Sequence, residues 1–207
     1  AIKANGVVNI FTGDDIAKEK IGGLIAGWKI VSQDGKDMKV PNHPPLAKDV
    51  VNYVGDHVAI VIAETLEDAQ NAADLVNVSY EIKKAVVNTS DAMQSEAIHD
   101  DIDQNLCFDF ILGDKGKTHD AFLEADKIVK LDLRNNRLIP NAMEPRACIG
   151  DYNTSSDELT LYTSSQNPHL SRLVLSAFGG IHPEHKFRVV APDVGGGFGS
   201  KIYAYAE

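Results

Sequence analysis

The sequence predicts an α+β protein in two folded parts joined by an acidic segment. Three observations carry this prediction. Short β-branched runs alternate with helix-spaced apolar residues. Charge is unevenly spread, with net values of −3 over residues 1–88, −7 over 89–128 and zero over 129–207. A proline-rich, apolar-poor stretch and several turn clusters separate the runs.

The elements follow in chain order. Val7–Phe11 reads as a short strand, closed by Thr12-Gly13-Asp14. Residues 32–49 contain Pro41, Pro44 and Pro45 and read as loop. Val58–Ala63 is short, apolar and β-branched, a buried strand. Thr65 with Asp68 three residues on resembles a capping box, and Leu66, Ala69, Ala73 and Val76 then recur at helical spacing. Val76, Val78 and Tyr80 alternate and predict a strand, which would complete a β-α-β unit. The stretch with Asp91, Asp100, Asp101, Asp103, Asp109 and Asp114 suits a solvated connection. It lacks the glycine and distal glutamate of a calcium loop. From Lys117, Ala121, Phe122 and Ala125 predict a short helix and Ile128–Leu133 a strand. Ala147–Tyr152 and Leu159–Tyr162 predict two strands joined by a turn at Asn153–Asp157. Leu170, Leu173, Val174, Ala177 and Phe178 mark an amphipathic helix that Gly179-Gly180 stops, and Phe187–Val190 is a last strand.

Composition excludes several function classes. A net charge of −10 over 207 residues argues against nucleic-acid binding, which needs a basic footprint. The longest apolar run, Val58–Ala63, is far short of a transmembrane helix. Cys107 and Cys148 cannot build a disulfide framework, and each sits among apolar neighbours that predict a core position. His182 and His185 have no third partner for zinc. With no initiator methionine and no apolar signal core, the chain reads as soluble, cytoplasmic and a piece of a longer protein.

The most informative stretch is Val190-Ala191-Pro192-Asp193-Val194-Gly195-Gly196-Gly197-Phe198-Gly199-Ser200-Lys201. Gly195, Gly196, Gly197 and Gly199 leave a backbone able to approach a ligand closely and to aim N–H groups at an anion or oxo group. Ser200 stands where both the nucleotide P-loop and the dinucleotide fingerprint need glycine, so neither applies. Ligand loop and tight structural turn both remain open. Gln166 in Ser164-Ser165-Gln166-Asn167-Pro168-His169 offers an amide donor at a strand end. The same residues also read as a helix start, with Asn167 as N-cap and Pro168 at the first helical position. Glu144 and Arg146 either pair with each other or hold a substrate.

Taken in order, Met143-Glu144-Pro145-Arg146, Ser164–His169 and Val190–Lys201 resemble the molybdenum hydroxylases, the xanthine dehydrogenase/aldehyde oxidase family that includes aerobic carbon monoxide dehydrogenase. Gly6-Val7-Val8, Thr12–Ile16, Pro44-Pro45-Leu46-Ala47 and Tyr53–Ala59 resemble that family's α/β hammerhead domain. The resemblance implies a hammerhead domain over residues 1–88, an acidic connection over 89–116 and the start of a molybdopterin-binding domain over 117–207. It implies molybdenum-molybdopterin, in the cytosine dinucleotide form. It also implies an iron–sulfur small subunit with 2Fe-2S clusters, a medium subunit with FAD, and a small-molecule substrate hydroxylated with oxygen from water. Gln166 would donate to an oxygen ligand of the metal, and Gly195, Gly196, Gly197, Phe198 and Gly199 would lie against the cofactor. The family's glutamate base lies beyond Glu207, so no catalytic residue and no protein metal ligand is assigned, and the isolated piece would be inactive. Ile202 stands where purine-oxidising members carry glutamate, which implies the carbon monoxide dehydrogenase-like or aldehyde-oxidising branch. The alternative is a non-catalytic α+β module that binds an anion or partner through Gly195–Gly199.

Overall fold

A computed structural model describes residues 1–207. In the first part, strand β1 (Val7–Thr12) pairs antiparallel with β2 (Ala59–Ala63), Ile10 opposite Val61. The predicted closing turn is the start of helix α1 (Gly13–Lys18). There the Thr12 N–H donates to Asp15 Oδ2 at 2.9 Å, and two acids sit at the helix's positive end. Gly13 is buried so close to the Ala47 carbonyl that no side chain fits. Helix α2 (Leu66–Asp74) starts where predicted: the Asp68 N–H donates to Thr65 Oγ1 at 3.1 Å, and Ala72 is fully buried.

The predicted β-α-β unit does not form. Residues 76–80 make no ladder, and the only neighbour of β2 is β1. Alternation gives Val76, Val78 and Tyr80 two faces, but a strand also needs a ladder partner, and neither open edge of the β1-β2 sheet takes these residues. Residues 128–133 fail as a strand for the same reason: Val129, Leu131 and Leu133 are exposed, with no ladder partner.

The acidic stretch carries structure of its own. It forms two 3-10 turns, Ala92–Gln94 and Asp103–Asn105. Asn105 Nδ2 donates to the Ala92 and Glu96 carbonyls, its Oδ1 accepts the Ile98 N–H, and Ile102 is buried. Its far end bonds the prolyl-loop region through Gln33 N–H to Asp109 O and Lys39 N–H to Cys107 O. Helix α3 (Lys115–Glu124) follows, capped by the Asp114 carboxylate, which accepts the Lys117 N–H at 3.0 Å.

The second part is a three-stranded sheet of order β3-β4-β5. β3 (Cys148–Asn153) and β4 (Glu158–Thr163) form an antiparallel hairpin. Helix α4 (Pro168–Ala177) crosses over to β5 (Phe187–Val190), which runs parallel to β4. Asn167 caps α4 and Pro168 opens it, as the composition predicted. Phe187 is buried beneath the crossover. Cys148 is exposed and Cys107 half-buried, against the core placement predicted for both. The Ile149 side chain is exposed too, so this end of β3 presents an apolar surface that nothing in the chain covers. The two parts meet at backbone. Gly22 N–H donates to Gly179 O at 2.9 Å, and Gly22 lies directly against the Phe178 carbonyl.

Candidate functional site

Strand polarity brings the site together. β4 and β5 are parallel, so the segments leaving their carboxyl ends, Ser164–Gln166 and Ala191–Lys201, emerge on one edge of the sheet. β3 is antiparallel to β4, so the segment entering it, Glu144–Ala147, arrives at the same edge. Three motifs spread over nearly sixty residues of sequence therefore share one rim. The crevice outside the carboxyl ends of parallel strands is the usual place for a ligand in such sheets.

Gln166 is held by the glycine loop. Its Oε1 accepts the Gly199 N–H at 2.9 Å and the Lys201 N–H at 3.3 Å, while its own N–H donates to the Lys201 carbonyl at 2.9 Å. Two N–H donors require the amide oxygen to face the loop. The Nε2 group therefore faces away from it, and its protons make no bond within the chain. Below, Ser165 and Ser171 are buried with their hydroxyl oxygens 3.0 Å apart, and Ser165 Oγ accepts the Asn167 N–H.

The loop is shaped by close contacts. Gly197 is buried against the Gln166 side chain, which occupies the space a Cβ would need. A Cβ on Gly196 would come within 2.8 Å of the Phe198 ring. Gly196 and Gly199 take φ of +95° and +93°, where glycine is at home, and Phe198 takes +52°. The Phe198 side chain is largely exposed, 74% by area. The N–H groups of Gly197 and Phe198 have no partner within the chain. Adjacent free N–H groups, an outward amide donor and an exposed aromatic face make a donor-lined rim suited to phosphate or oxo oxygens.

Glu144 and Arg146 do not pair with each other, which corrects one of the two readings given above. Glu144 Oε2 accepts from Lys201 Nζ at 2.7 Å and from the Gly195 N–H at 2.8 Å. The Lys201 ammonium, and after it the Gly195 N–H, hold the Glu144 carboxyl below the usual carboxylate range. Arg146 pairs with Glu207, and its guanidinium lies 3.8 Å over the Tyr205 ring. The Glu207 carboxylate holds the Arg146 guanidinium above its ordinary range. Sequence reasoning missed Lys201, whose side chain is 2% exposed. Its signal is present: it is the only lysine in residues 187–207 and follows directly on the glycine loop.

A cavity of about 570 Å³ lies elsewhere, between Leu24–Ala26 and the Val40–Asp56 region of the first part. None of the predicted site residues lines it. A smaller cleft of about 50 Å³ lies beside the rim, lined by Arg146, Ser165, Ser171, Lys201 and Tyr205 among others.

Known proteins share this arrangement of sequence and fold. A family model described as the molybdopterin cofactor-binding domain matches residues 98–207. Another, described as the aldehyde oxidase and xanthine dehydrogenase a/b hammerhead domain, matches residues 1–84. The nicotine 6-hydroxylase large subunit of Paenarthrobacter nicotinovorans is 34% identical over 202 residues, 98% of this chain and 24% of that protein. The carbon monoxide dehydrogenase large chain of Afipia carboxidovorans is 33% identical over 199 residues, 86% of this chain and 24% of that one. The crystal structure of quinoline 2-oxidoreductase from Pseudomonas putida 86 superposes with a TM-score of 0.82 at 28% identity, covering 99% of this chain and 25% of that chain. The chain thus spans about a quarter of the length of the curated relatives it matches. With a hammerhead match followed by a cofactor-domain match over more than half its length, the chain belongs to the aldehyde oxidase/xanthine dehydrogenase family of molybdenum hydroxylases.

Proposed function

We propose that these residues belong to the large subunit of a molybdenum hydroxylase that oxidises an aldehyde, a heterocycle or carbon monoxide with oxygen from water. The observation that carries this reading is the orientation of Gln166: loop N–H groups take its oxygen and leave its Nε2 donor facing outward beside the free Gly197 and Phe198 N–H groups. That donor set fits an oxygen-rich cofactor, and the buried Gly197 keeps the backbone free of a Cβ that would fill the rim.

In this reading residues 1–88 are the hammerhead domain, 89–116 the acidic connection and 117–207 the molybdopterin-binding part. The family matches over 1–84 and 98–207 support the order of the two parts, the second match beginning within the proposed connection. When bound, molybdenum-molybdopterin, here proposed in its cytosine dinucleotide form, supplies the redox chemistry. The chain's residues bind and orient. Gln166 Nε2 would donate to an oxygen of the molybdenum group, the Gly197 and Phe198 N–H groups would donate to cofactor oxygens, and the Phe198 ring would lie against the cofactor. Glu144 serves as an anchor, since Lys201 and the Gly195 N–H both bond its Oε2 and favour the ionised carboxylate. The related large subunits support assembly with an iron–sulfur small subunit and an FAD-binding medium subunit. No helix is long and apolar enough to cross a membrane. Ile202 beside the loop supports a substrate other than a purine.

Elemental analysis tests the reading on protein purified from its own host with the intact gene. About one molybdenum per large subunit is expected. Its absence, in a host that makes the cofactor, overturns the reading.

A further inference from the structure

Lys201, two residues beyond the glycine loop, makes three polar contacts with the segments that flank the loop in space. Its side chain is buried and reaches back to Glu144, 57 residues earlier, at 2.7 Å. Its N–H donates to Gln166 Oε1, and its carbonyl accepts the Gln166 N–H. Glu144 in turn accepts the N–H of Gly195, at the opposite end of the loop. The fit there is tight, since a Cβ on Gly195 would come within 2.6 Å of Glu144 Cβ. Both ends of a loop with four glycines in five residues are thus tied to one ion pair, and the amide that faces the rim is tied to the same lysine.

A glycine-rich loop has much backbone freedom to lose, so something must fix it before its N–H groups can act together. Hydrogen bonds to charged groups are the stronger kind, and a buried ammonium without its partner is costly. We propose that Glu144 and Lys201 form a positioning clasp that sets the Gly195–Gly199 backbone and, through the Lys201 backbone, the outward face of the Gln166 amide. The proposal rests on the cofactor reading above. Neither residue is placed in contact with cofactor or substrate. Each acts through the loop and through Gln166.

The test uses the full-length enzyme from its own host, comparing wild type with E144Q/K201M. Removing both charges together avoids stranding a buried one, so the variant keeps its fold. Three quantities are read: hydrogen exchange of the amides in residues 195–201, molybdenum retained after extensive dialysis, and the electron paramagnetic resonance signal of the reduced enzyme. Expected are amide protection at Gly195, Gly199 and Lys201 reduced at least about tenfold, cofactor affinity about 10–100-fold weaker, and a displaced resonance signal. A folded variant with wild-type protection, molybdenum content and signal overturns the clasp. Should the double variant not fold, K201M alone decides the matter. It removes the buried ammonium and leaves only the partly exposed Glu144 carboxylate, so protection at Gly199 and Lys201 is expected to fall and the signal to shift; wild-type protection there overturns the proposal. Wild-type enzyme without molybdenum overturns the cofactor reading instead, and the exchange measurement still decides whether the clasp holds the loop.

Discussion

Gln166 Oε1 accepts the N–H of Gly199 at 2.9 Å, across 33 residues of sequence. Together with the Lys201 N–H at 3.3 Å, this bond decides which face of the amide looks outward. Q166E keeps an oxygen for Gly199 and Lys201 but has no amide donor on the other side. It should preserve amide protection in the loop while turnover of the full-length enzyme falls about 10²–10³-fold, the usual cost of removing one oriented donor. Q166A should lower both. Unchanged molybdenum content and turnover in Q166A would remove Gln166 from the site.

Gly197 and Gly199 should respond differently to alanine. The space beside Gly197 is filled by the Gln166 side chain, so G197A displaces that amide, with an overpacking cost of about 1–3 kcal/mol. Gly199 has open space but a φ of +93°, so G199A strains the backbone without crowding Gln166. Denaturant unfolding should show both losses. By NMR, G197A should displace the Gln166 side chain more than G199A, which acts only through the Gly199 N–H.

Phe198 combines a positive φ with an exposed ring. Strain at such a residue is characteristic of a working position. F198G relieves about 1 kcal/mol of left-handed strain and adds a comparable backbone entropy cost. Its stability should stay near wild type while cofactor retention drops. A large fall in unfolding free energy would show that the ring packs into a core instead.

Asp157 supplies a pH test. The Lys186 ammonium, and then the Tyr152 hydroxyl, hold its carboxyl below the ordinary value of 3.8. A lowered folded pKa stabilises the fold above the unfolded value, and the contribution disappears as pH falls through the folded one. Wild type should therefore lose thermal stability below about pH 4, and D157N, which has no carboxyl to titrate, should lose less over that interval. Parallel acid profiles would exclude Asp157 as a source of the acid sensitivity.

Gly22 tests the seam between the two parts. Its backbone lies against the Phe178 carbonyl, leaving no room for a methyl group. G22A should cost about 1–3 kcal/mol by forcing the seam apart and should speed proteolysis near Gly179. Wild-type stability in G22A would mean that the parts adjust freely.

Much of this structure was legible because the relevant signals are local. Thr65 and Asn167 cap their helices through their own side chains, Pro168 opens α4, and the alternation in residues 148–163 is satisfied within one hairpin. What failed was non-local. Residues 76–80 and 128–133 have strand-like sequences but pair with no strand, and alternation cannot say whether a partner will be met. Cys148 has apolar neighbours yet lies exposed, because burial depends on what covers β3. The motifs carrying Gln166 and the glycines stood out as motifs. The partner of Glu144 did not, because proximity in sequence suggested Arg146 and the sheet selected Lys201.

The same sheet has a second end. Opposite the glycine loop, the β3–β4 turn meets the start of β5, where Asp157 bonds Tyr152 and Lys186 and its carbonyl lies 2.9 Å from His182 Nε2. The Asp157 cluster and the glycine loop thus sit at opposite ends of the strands, so a substitution in one leaves the hydrogen bonds of the other in place.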